Sequence, residues 1–464
     1  MRTYLGHVTI AVLPDDVLLY VFDFYLAQAS EAEAWYTLVH VCRRWRTTVL
    51  GSPRRLKLRI RCTGDTPVRE LDTWPALPIV ISADERYSTA SLYNIKAILK
   101  HHDRVCQIKL GLMDSDLKEI FAALEEPFPV LTFLKIYSDV TSDPIFPNPD
   151  KFLGGSNHLQ SLSLTGISIP ELLPKLLLSS TDLVDLRLKE IPIFAFIPPD
   201  EMVTALSALT RLQVLHLEPE CDDLNPGPDW ENRRLPLPTP TVLSSLIVLK
   251  FKGVIEYLED FMARIDAPIL DCLDMAVILD RVTVLNVPQT HRFISNIPKF
   301  RTFDEAHIGI DIDNIDIWIN FLSATGSESS DTLKLEIFCI ETELLLPQFC
   351  TPPFFPLPTL ETLHLYGNTY LKQRDHMDDA RWLQILRPFT SVKNLYVSEE
   401  FAPRIPPALE EIAGDMVTEV LPALESLFLE EFNSSGPVRE AIGKFAAARA
   451  LSGHPIAVSQ WNRW

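Results

Sequence analysis

Apolar residues recur at the first, fourth and sixth positions of a six-residue segment that repeats along most of the chain. The segment reads LTFLKI at residue 131, LVDLRL at 183 and LETLHL at 360. Among the first seven copies, the interval runs from 24 residues (159 to 183) to 34 residues (212 to 246), which is room for one strand and one helix. The alternation predicts strands with one buried side. The ten copies begin at residues 105, 131, 159, 183, 212, 246, 270, 360, 392 and 424.

Amphipathic segments between the copies predict the helices that carry the chain to the next strand, for example at 114–126, 255–265 and 378–389. L-x-x-L-x-L is the strand signature of leucine-rich repeats, in which each repeat buries its apolar side against its neighbours. We therefore expect an α/β fold class, with an irregular leucine-rich-repeat-like α/β solenoid over residues 105–436. Residues 280–345 match the pattern poorly, and FRTFDEAHIGIDI and TLKLEIFCI are expected to be divergent strands there.

The segments beside the repeats have patterns of their own. Residues 57–104 predict a connector, with one strand in RRLKLRIRCTG and another in LDTWPALPIVI. Residues 437–464 predict a helix, VREAIGKFAAARAL, and a strand, HPIAVSQW, which together would cap the end of the array. Proline-rich stretches at 223–241 and 350–359 predict surface loops within the array, with interdomain linkers as the alternative.

A compact helical unit is predicted before the repeats. Pro14 fits the first helical position, and Asp15 and Asp16 place negative charge in the first turn. A unit this small cannot bury all of its apolar side chains, so the surplus needs a partner surface, on the same chain or on another protein. One apolar face has helical spacing and comprises Val17, Leu18, Val21, Phe22 and Tyr25. A second face, before Gly51, comprises Trp35, Leu38, Val41, Cys42, Trp45 and Val49.

The order L-P-D-D-V-L-L-Y-V-F, followed by L-V-H-V-C-R-R-W, resembles the F-box over roughly residues 10–56. The F-box is the module by which substrate receptors dock onto the Skp-type adaptor of cullin-based ubiquitin ligases. The segment FYLAQASEAEAWYTL between the two halves is longer and more polar than the usual link. The resemblance implies that ten residues bear on the adaptor: Leu13, Pro14, Val17, Leu18, Val21, Phe22, Leu38, Val41, Cys42 and Trp45.

The order of the whole chain, including WLQILRPFTSVKNLYVSEE and KFAAARALSGHPIAVSQW, resembles the greatly expanded F-box protein family of mushroom-forming (basidiomycete) fungi. The resemblance implies a substrate-recognition adaptor of a Skp-cullin-F-box type ubiquitin ligase. Its partners would be the Skp-type adaptor, a cullin bound through that adaptor, and a protein target that the resemblance does not identify. The alternative is a non-catalytic repeat scaffold that binds the adaptor without ubiquitin transfer.

Composition and charge narrow the choice of partner and compartment. The net charge of -20 argues against non-specific binding to nucleic acid or to anionic membranes, because both require neutralisation by Lys and Arg. The sequence shows neither a membrane-spanning apolar run nor a signal-peptide pattern, so we expect a cytoplasmic or nuclear protein. The seven cysteines are scattered without a C-x-x-C pair, which predicts neither a disulfide framework nor a zinc site.

The sequence carries no recognised catalytic motif. It has no G-x-x-x-x-G-K-[ST], no G-x-S-x-G and no H-E-x-x-H. His101, His102 and Asp103 are adjacent, so they would not converge on one metal ion, and the acidic run around His376 is predicted to be a polar loop. We expect no cofactor, no metal ion and no catalytic residue. A hydrolase or transferase would need a polar catalytic cluster that these motifs do not supply.

The polar positions of the repeat strands define the concave side of the array, where we expect the target to bind. Between 107 and 252 these positions carry six Lys or Arg residues and two acidic residues. The basic residues are expected to attract an acidic or phosphorylated segment, and aromatic residues farther along are expected to hold an apolar anchor. The alternative is a solvated strand face without a function. The expected target-binding residues are Arg187, Lys189, Lys250, Lys252, Tyr366, Tyr396 and Phe428.

Overall fold

The structure is a computed structural model of the chain, which forms two compact units, Met1–Leu183 and Val184–Trp464. The domain boundaries expected from the sequence stay predictions. Apart from 239–241 and Thr359, the two proline-rich stretches lie outside the described residues, and so does the loop at 375–378. The structure describes all residues except 1–9, 29–33, 67–70, 72–74, 85–88, 139–150, 156–157, 170–171, 193–195, 221–238, 280–286, 302, 312–315, 323–331, 340–358, 368–378, 403–404, 412–418, 431–435 and 463–464.

Three helices form the N-terminal head, by which we mean the described residues of 10–56. They are α1 (Asp15–Gln28), α2 (Ala34–Val41) and α3 (Arg43–Leu50), after a 3-10 turn at Ile10–Val12. Helix α1 begins directly after Pro14, as predicted. The second apolar face is divided between two helices, because Cys42 is extended (φ -160°, ψ 168°) and ends the run of helical backbone. Its Sγ then caps α3 by accepting the Trp45 N–H at 3.4 Å.

The rest of the first unit is a parallel sheet with helical crossovers. The strands pair in the order β1-β2-β3-β4-β5, and all four pairings are parallel. Both strands predicted for the connector are present, as β1 and β2. The strands are β1 (Ile60–Cys62), β2 (Ile79–Asp84), β3 (Val105–Leu112), β4 (Phe133–Ser138) and β5 (Ser161–Thr165). The helices are α4 (Thr89–Leu99), α5 (Asp114–Ala123) and α6 (Leu172–Ser179), with a 3-10 turn at Phe152–Gly155.

The second unit contains a longer series of strands and helices. Its described strands are β6 (Asp185–Ile191), β7 (Val214–Pro219), β8 (Thr241–Val242), β9 (Val248–Val254), β10 (Ile265–Asp266), β11 (Cys272–Leu279), β12 (Glu305–Asp311), β13 (Asp316–Leu322), β14 (Thr332–Cys339), β15 (Thr362–Gly367), β16 (Asn394–Val397), β17 (Ser426–Glu430) and β18 (Ala457–Trp461). Its described helices are α7 (Pro199–Ser207), α8 (Ile255–Arg264), α9 (Pro288–Asn296), α10 (Asp379–Leu386), α11 (Ile405–Glu411) and α12 (Pro437–Leu451), with a 3-10 turn at Pro298–Arg301.

The strands of the second unit follow the order β6-β7-β9-β11-β14-β13-β12-β15-β16-β17-β18, and β8 pairs with β10 separately. Every neighbouring pair in the order is parallel except the two that involve β13. None of the helices that the structure describes has the length and apolar character needed to cross a membrane.

Burial of the repeated apolar positions forms the core of both units. All ten copies of the six-residue segment form parallel strands. In the copy at 212, Leu212, Leu215 and Leu217 are at most 1% exposed. Strand register then places Leu215 beside Leu249 of β9, so each leucine packs beside its equivalent in the next repeat. Full burial of one leucine contributes about 1.5–3 kcal/mol. The predicted α/β fold class with leucine-rich-repeat-like repeats is confirmed.

The poorly matching segment at 280–345 contains a local reversal of the chain. Strands β12, β13 and β14 form an antiparallel meander inside the otherwise parallel sheet, because β13 pairs antiparallel with both neighbours. The two divergent strands expected here are present as β12 and β14, but β13 was not predicted. Gly309 of β12 faces Trp318 of β13, and a Cβ at Gly309 would lie only 1.9 Å from the indole ring. Any side chain at this position would therefore force the indole ring to move.

The predicted C-terminal helix and strand are present as α12 and β18, and β18 pairs in parallel with β17. Arg449 of α12 is completely buried. Its guanidinium donates hydrogen bonds to three backbone carbonyl oxygens in the segment that precedes β17: Leu421 (3.3 Å), Pro422 (3.3 Å) and Leu424 (3.0 Å). These bonds attach the last helix to the last L-x-x-L-x-L segment.

Replacing Arg449 by Met removes the N–H donors and keeps most of the apolar stem. We expect the free energy of unfolding to fall by about 2–4 kcal/mol, because buried carbonyl oxygens lose their partners. Urea unfolding of the full chain, followed by tryptophan fluorescence, measures the change. Lys444 lies on the same helix but is paired at the surface with Glu410 and Glu440, so Lys444→Met should leave the free energy of unfolding nearly unchanged. Equal losses in the two variants would contradict the structural role of Arg449.

Candidate functional site

An exposed apolar stripe runs along helix α1 of the head. Val17, Tyr20, Val21 and Phe24 follow the i, i+3, i+4, i+7 spacing of a single helical face, and we call them the α1 stripe. Tyr20 is 69% and Phe24 is 65% exposed. Leu18 and Phe22 of the same helix are completely buried. Helix α1 therefore has one apolar face inside the chain and a second apolar face on its surface.

The ten residues expected to bear on an adaptor occupy three kinds of position. Pro14, Val17, Val21, Val41 and Cys42 are exposed, and Leu13 and Trp45 are partly exposed. Leu18, Phe22 and Leu38 are buried, so in this structure they support the surface from beneath. Sequence reasoning missed Tyr20 and Phe24. Their spacing of three and four residues from Val17 and Val21 was the available signal, but helical spacing alone does not say which face is exposed.

Specific contacts hold the head in shape. The Arg44 guanidinium of α3 bonds to the Asp15 carboxylate at 2.7 Å and to the carbonyl oxygen of Leu13, which ties α3 to the start of α1. Phe22 packs edge-on against Trp45, with ring centroids 4.8 Å apart. The Trp35 indole donates a hydrogen bond to the carbonyl oxygen of Arg59 at 2.9 Å, just before β1. These contacts join α1 to α3 and join α2 to the segment before β1.

The four basic residues expected to bind a target lie on the face of the second unit's sheet formed by the polar strand positions, which we call the open face. Strand register aligns Arg187, His216, Lys250 and Asp274 across β6, β7, β9 and β11. Three of the four basic side chains are paired with carboxylates of the same face: Arg187 with Asp185 (2.9 Å), Lys250 with Asp274 (3.1 Å) and Lys252 with Glu218 (2.9 Å). The charge of this region is therefore mixed.

The aromatic residues expected farther along do lie together. Strand register places His307, His364, Tyr396 and Phe428 in one row across β12, β15, β16 and β17. Neighbouring ring centroids are 4.3, 4.2 and 4.3 Å apart. The His307 ring is tilted against His364, and the His364, Tyr396 and Phe428 rings are stacked. The Trp461 ring stands edge-on to Tyr396 at 5.4 Å. Tyr366, the third expected aromatic residue, lies in the next row at 5.5 Å from the His307 ring. We call these six residues the aromatic row.

An acidic side chain lies beside the two histidines of the aromatic row. The Glu305 carboxylate is 2.6 Å from Nε2 of His307 and 3.1 Å from Nε2 of His364. Hydrogen bonds from His307 and His364 hold the pKa of Glu305 well below its usual range. Sequence reasoning missed this cluster. The E-A-H pattern of β12 was the available signal, since residues two apart on a strand share a face, but His364 is brought there only by strand pairing.

A related pair on β7 has only one imidazole. Nε2 of His216 is 3.5 Å from the Glu218 carboxylate, which also receives the Lys252 ammonium at 2.9 Å. The interactions with His216 and Lys252 lower the pKa of Glu218 from 4.5 to about 2. Glu218 therefore keeps its negative charge at pH values where an unfolded glutamate is protonated.

Replacing Glu218 by Gln should make the free energy of unfolding less dependent on pH under acidic conditions. As pH falls from 4.5 towards about 2, the unfolded wild-type chain binds a proton that the folded chain does not, so the free energy of unfolding falls. Glu218→Gln should lower the slope of the free energy of unfolding against pH by at most about 1.4 kcal/mol per pH unit over that range. Urea unfolding across the range measures it, with Glu201→Gln on the exposed side of α7 as the control. Parallel pH profiles for wild type and Glu218→Gln would contradict the assignment.

No protein-family model matches the sequence, and no curated protein is significantly similar to it. Among solved structures, the chain is similar to the leucine-rich repeat-containing protein LegL7 from Legionella pneumophila, with 13% sequence identity over 84% of this chain and 98% of that one. The TM-score is 0.29, which is too low to establish a shared fold. The leucine-rich-repeat-like architecture therefore rests on the strand register and the buried leucines described above.

Proposed function

We propose that this chain is the substrate-recognition adaptor of a Skp-cullin-F-box type ubiquitin ligase. In this proposal the head docks on the Skp-type adaptor, and the open face of the repeats binds the protein to be modified. The observation that carries the proposal is the α1 stripe, because it lies on the helix whose sequence resembles the F-box and stays exposed when the chain folds. Contiguous exposed apolar surface on a folded protein is typical of an interaction site.

The chemistry of the stripe favours a groove on another protein as its partner. An amphipathic helix that presents apolar residues at i, i+3, i+4 and i+7 is a recurrent way to fill a hydrophobic groove. Pro14 and Val41 are also exposed in the head and extend its apolar surface beyond the stripe. The buried residues Leu18, Phe22 and Leu38 fix the backbone, so the stripe is ordered before binding and loses less conformational entropy on docking.

The proposed contribution of the chain to ubiquitin transfer is proximity. A target held on the same complex as the transfer machinery meets it at a high effective concentration, because the encounter becomes intramolecular. No side chain of this protein needs to take part in the chemistry. Other subunits would supply the reactive thioester and the geometry of transfer.

Truncating the α1 stripe should weaken adaptor binding. We expect Val21→Ala with Phe24→Ala to cost about 2–4 kcal/mol of binding free energy, because central apolar anchors account for most of the energy of such interfaces. Calorimetry with a purified Skp-type adaptor measures the loss. Tyr93→Ala is the matched control, since Tyr93 of α4 is 76% exposed in the same unit but lies outside the head. Unchanged affinity in the double variant would refute the docking proposal.

The alternative function is a repeat scaffold that binds the adaptor without ubiquitin transfer. Addition of purified cullin to the complex distinguishes the two functions. A ternary complex that supports ubiquitin transfer to bound protein favours the ligase, and a binary complex that excludes cullin favours the scaffold. The α1 stripe is required for adaptor binding in both cases.

Because the open face carries both charges, two substitutions on it should change target binding in opposite directions. If Lys250 attracts an acidic or phosphorylated segment, Lys250→Gln should weaken binding and Asp274→Asn should strengthen it, because Asp274 competes for the same ammonium. We expect changes of about two- to fivefold, reduced by added salt. Fluorescence anisotropy with acidic and phosphoserine peptides measures them. Changes in the same direction, or none, would place target recognition elsewhere.

A further inference from the structure

We propose that Glu305, His307 and His364 form a binding site for a divalent transition-metal ion of the zinc class on the open face. The inference does not rest on the proposed ligase function. It rests on the convergence of one carboxylate and two imidazoles whose ligand atoms all lie within 4.8 Å of one another. Two imidazole nitrogens and one carboxylate oxygen are a donor set that suits zinc.

The strand pairing explains why these three side chains converge. Glu305 and His307 are two residues apart on β12, so both project from the same face of the sheet. His364 is the direct partner of His307 on the parallel neighbour β15. All three side chains are partly buried, so no large rearrangement is needed to bring the donors together.

The distances fit a metal ion after small side-chain adjustments. Two donor atoms bound to one tetrahedral zinc ion lie roughly 3.3 Å apart, as follows from zinc–nitrogen distances of about 2.0–2.1 Å. Nε2 of His307 is 2.6 Å and Nε2 of His364 is 3.1 Å from the Glu305 carboxylate. A bound ion would replace these hydrogen bonds, and each Nε2 would have to be unprotonated.

Neighbouring groups favour the orientation that metal binding requires. The His364 ring is stacked on the Tyr396 ring and has the tilted His307 ring on its other side, which holds it in the row. The Tyr366 hydroxyl is 3.4 Å from Nδ1 of His307, so the outer nitrogen of that ring has a polar neighbour, as is typical of metal-binding imidazoles. Nδ1 of His364 has no hydrogen-bond partner among the described residues, so on metal binding through Nε2 this buried nitrogen would carry the proton without an acceptor from those residues.

Three protein ligands leave one coordination position of a tetrahedral ion unfilled. In zinc sites with two His and one Glu, that position is taken by water or by a ligand from outside the protein. Because the three residues occupy polar strand positions, the position would face the surface of the sheet. A metal ion here would therefore add a Lewis-acidic contact point to the aromatic row.

Metal binding by the full chain tests the inference. After treatment with a chelator, we expect the wild-type chain to bind one zinc ion by calorimetry, to show a low-symmetry visible spectrum with cobalt, and to melt at a higher temperature with zinc. Glu305→Gln removes the carboxylate charge with little change of shape. His364→Phe keeps a ring in the stack but removes its nitrogens. Each variant should bind zinc at least about tenfold more weakly and lose the cobalt spectrum.

The pair on β7 supplies the matched control. His216 lies beside Glu218 on the same open face but without a second imidazole, so His216→Asn should leave zinc affinity unchanged. Equal affinity in the wild type and both cluster variants would overturn the inference and leave a hydrogen-bonded cluster only. A loss in His216→Asn as large as in His364→Phe would also overturn it, because the ion would then be bound elsewhere. Circular dichroism confirms that each variant is folded.

Discussion

Burial of leucines between neighbouring parallel strands is the interaction on which both units depend. One repeat has a single apolar side and cannot cover it alone, so its strand must lie beside another strand in the same register. Leu215 beside Leu249, and Leu249 beside Leu273, show this dependence across β7, β9 and β11. A shift of one residue would turn every leucine towards solvent, so the core also fixes the register.

The same register determines the open face. Because the buried positions are aligned, the polar positions between them are aligned as well, and side chains of the same repeat position form rows across the sheet. Neighbouring strands lie about 4.8 Å apart, which is close to the distance between the centroids of two stacked rings. Tyr396 accordingly lies 4.2 Å from His364 and 4.3 Å from Phe428. The ion pair of Lys250 with Asp274 has the same origin.

The head is limited by its size, because it carries more apolar surface than so few residues can bury. Phe22, Trp35 and Leu38 are buried, yet the α1 stripe on the neighbouring face of α1 remains in contact with water. A unit of about forty residues has too small an interior to cover every apolar side chain that it carries. The small size of the head therefore leaves the α1 stripe exposed. The same stripe is a surface suited to a partner.

The sequence by itself determined the elements that depend on local pattern. Ten L-x-x-L-x-L strands, the start of α1 next to Pro14, and the helix and strand that follow the last repeat are present where apolar spacing and capping chemistry predicted them. These features depend on residues that are close together in the sequence, so their periodicity can be read from the sequence alone. The break at Cys42 escaped this reasoning because apolar spacing continued through it.

Only the tertiary structure decided which strands became neighbours. The sequence placed Lys250 and Lys252 on the outward side of a strand, but their pairing with Asp274 and Glu218 depends on strands that are distant in sequence. Glu305 and His364 are likewise brought together by the pairing of β12 with β15, across the reversal made by β13. Local periodicity fixes the side of a strand on which a residue lies. The partner across the sheet is fixed by long-range burial, which a single sequence does not display.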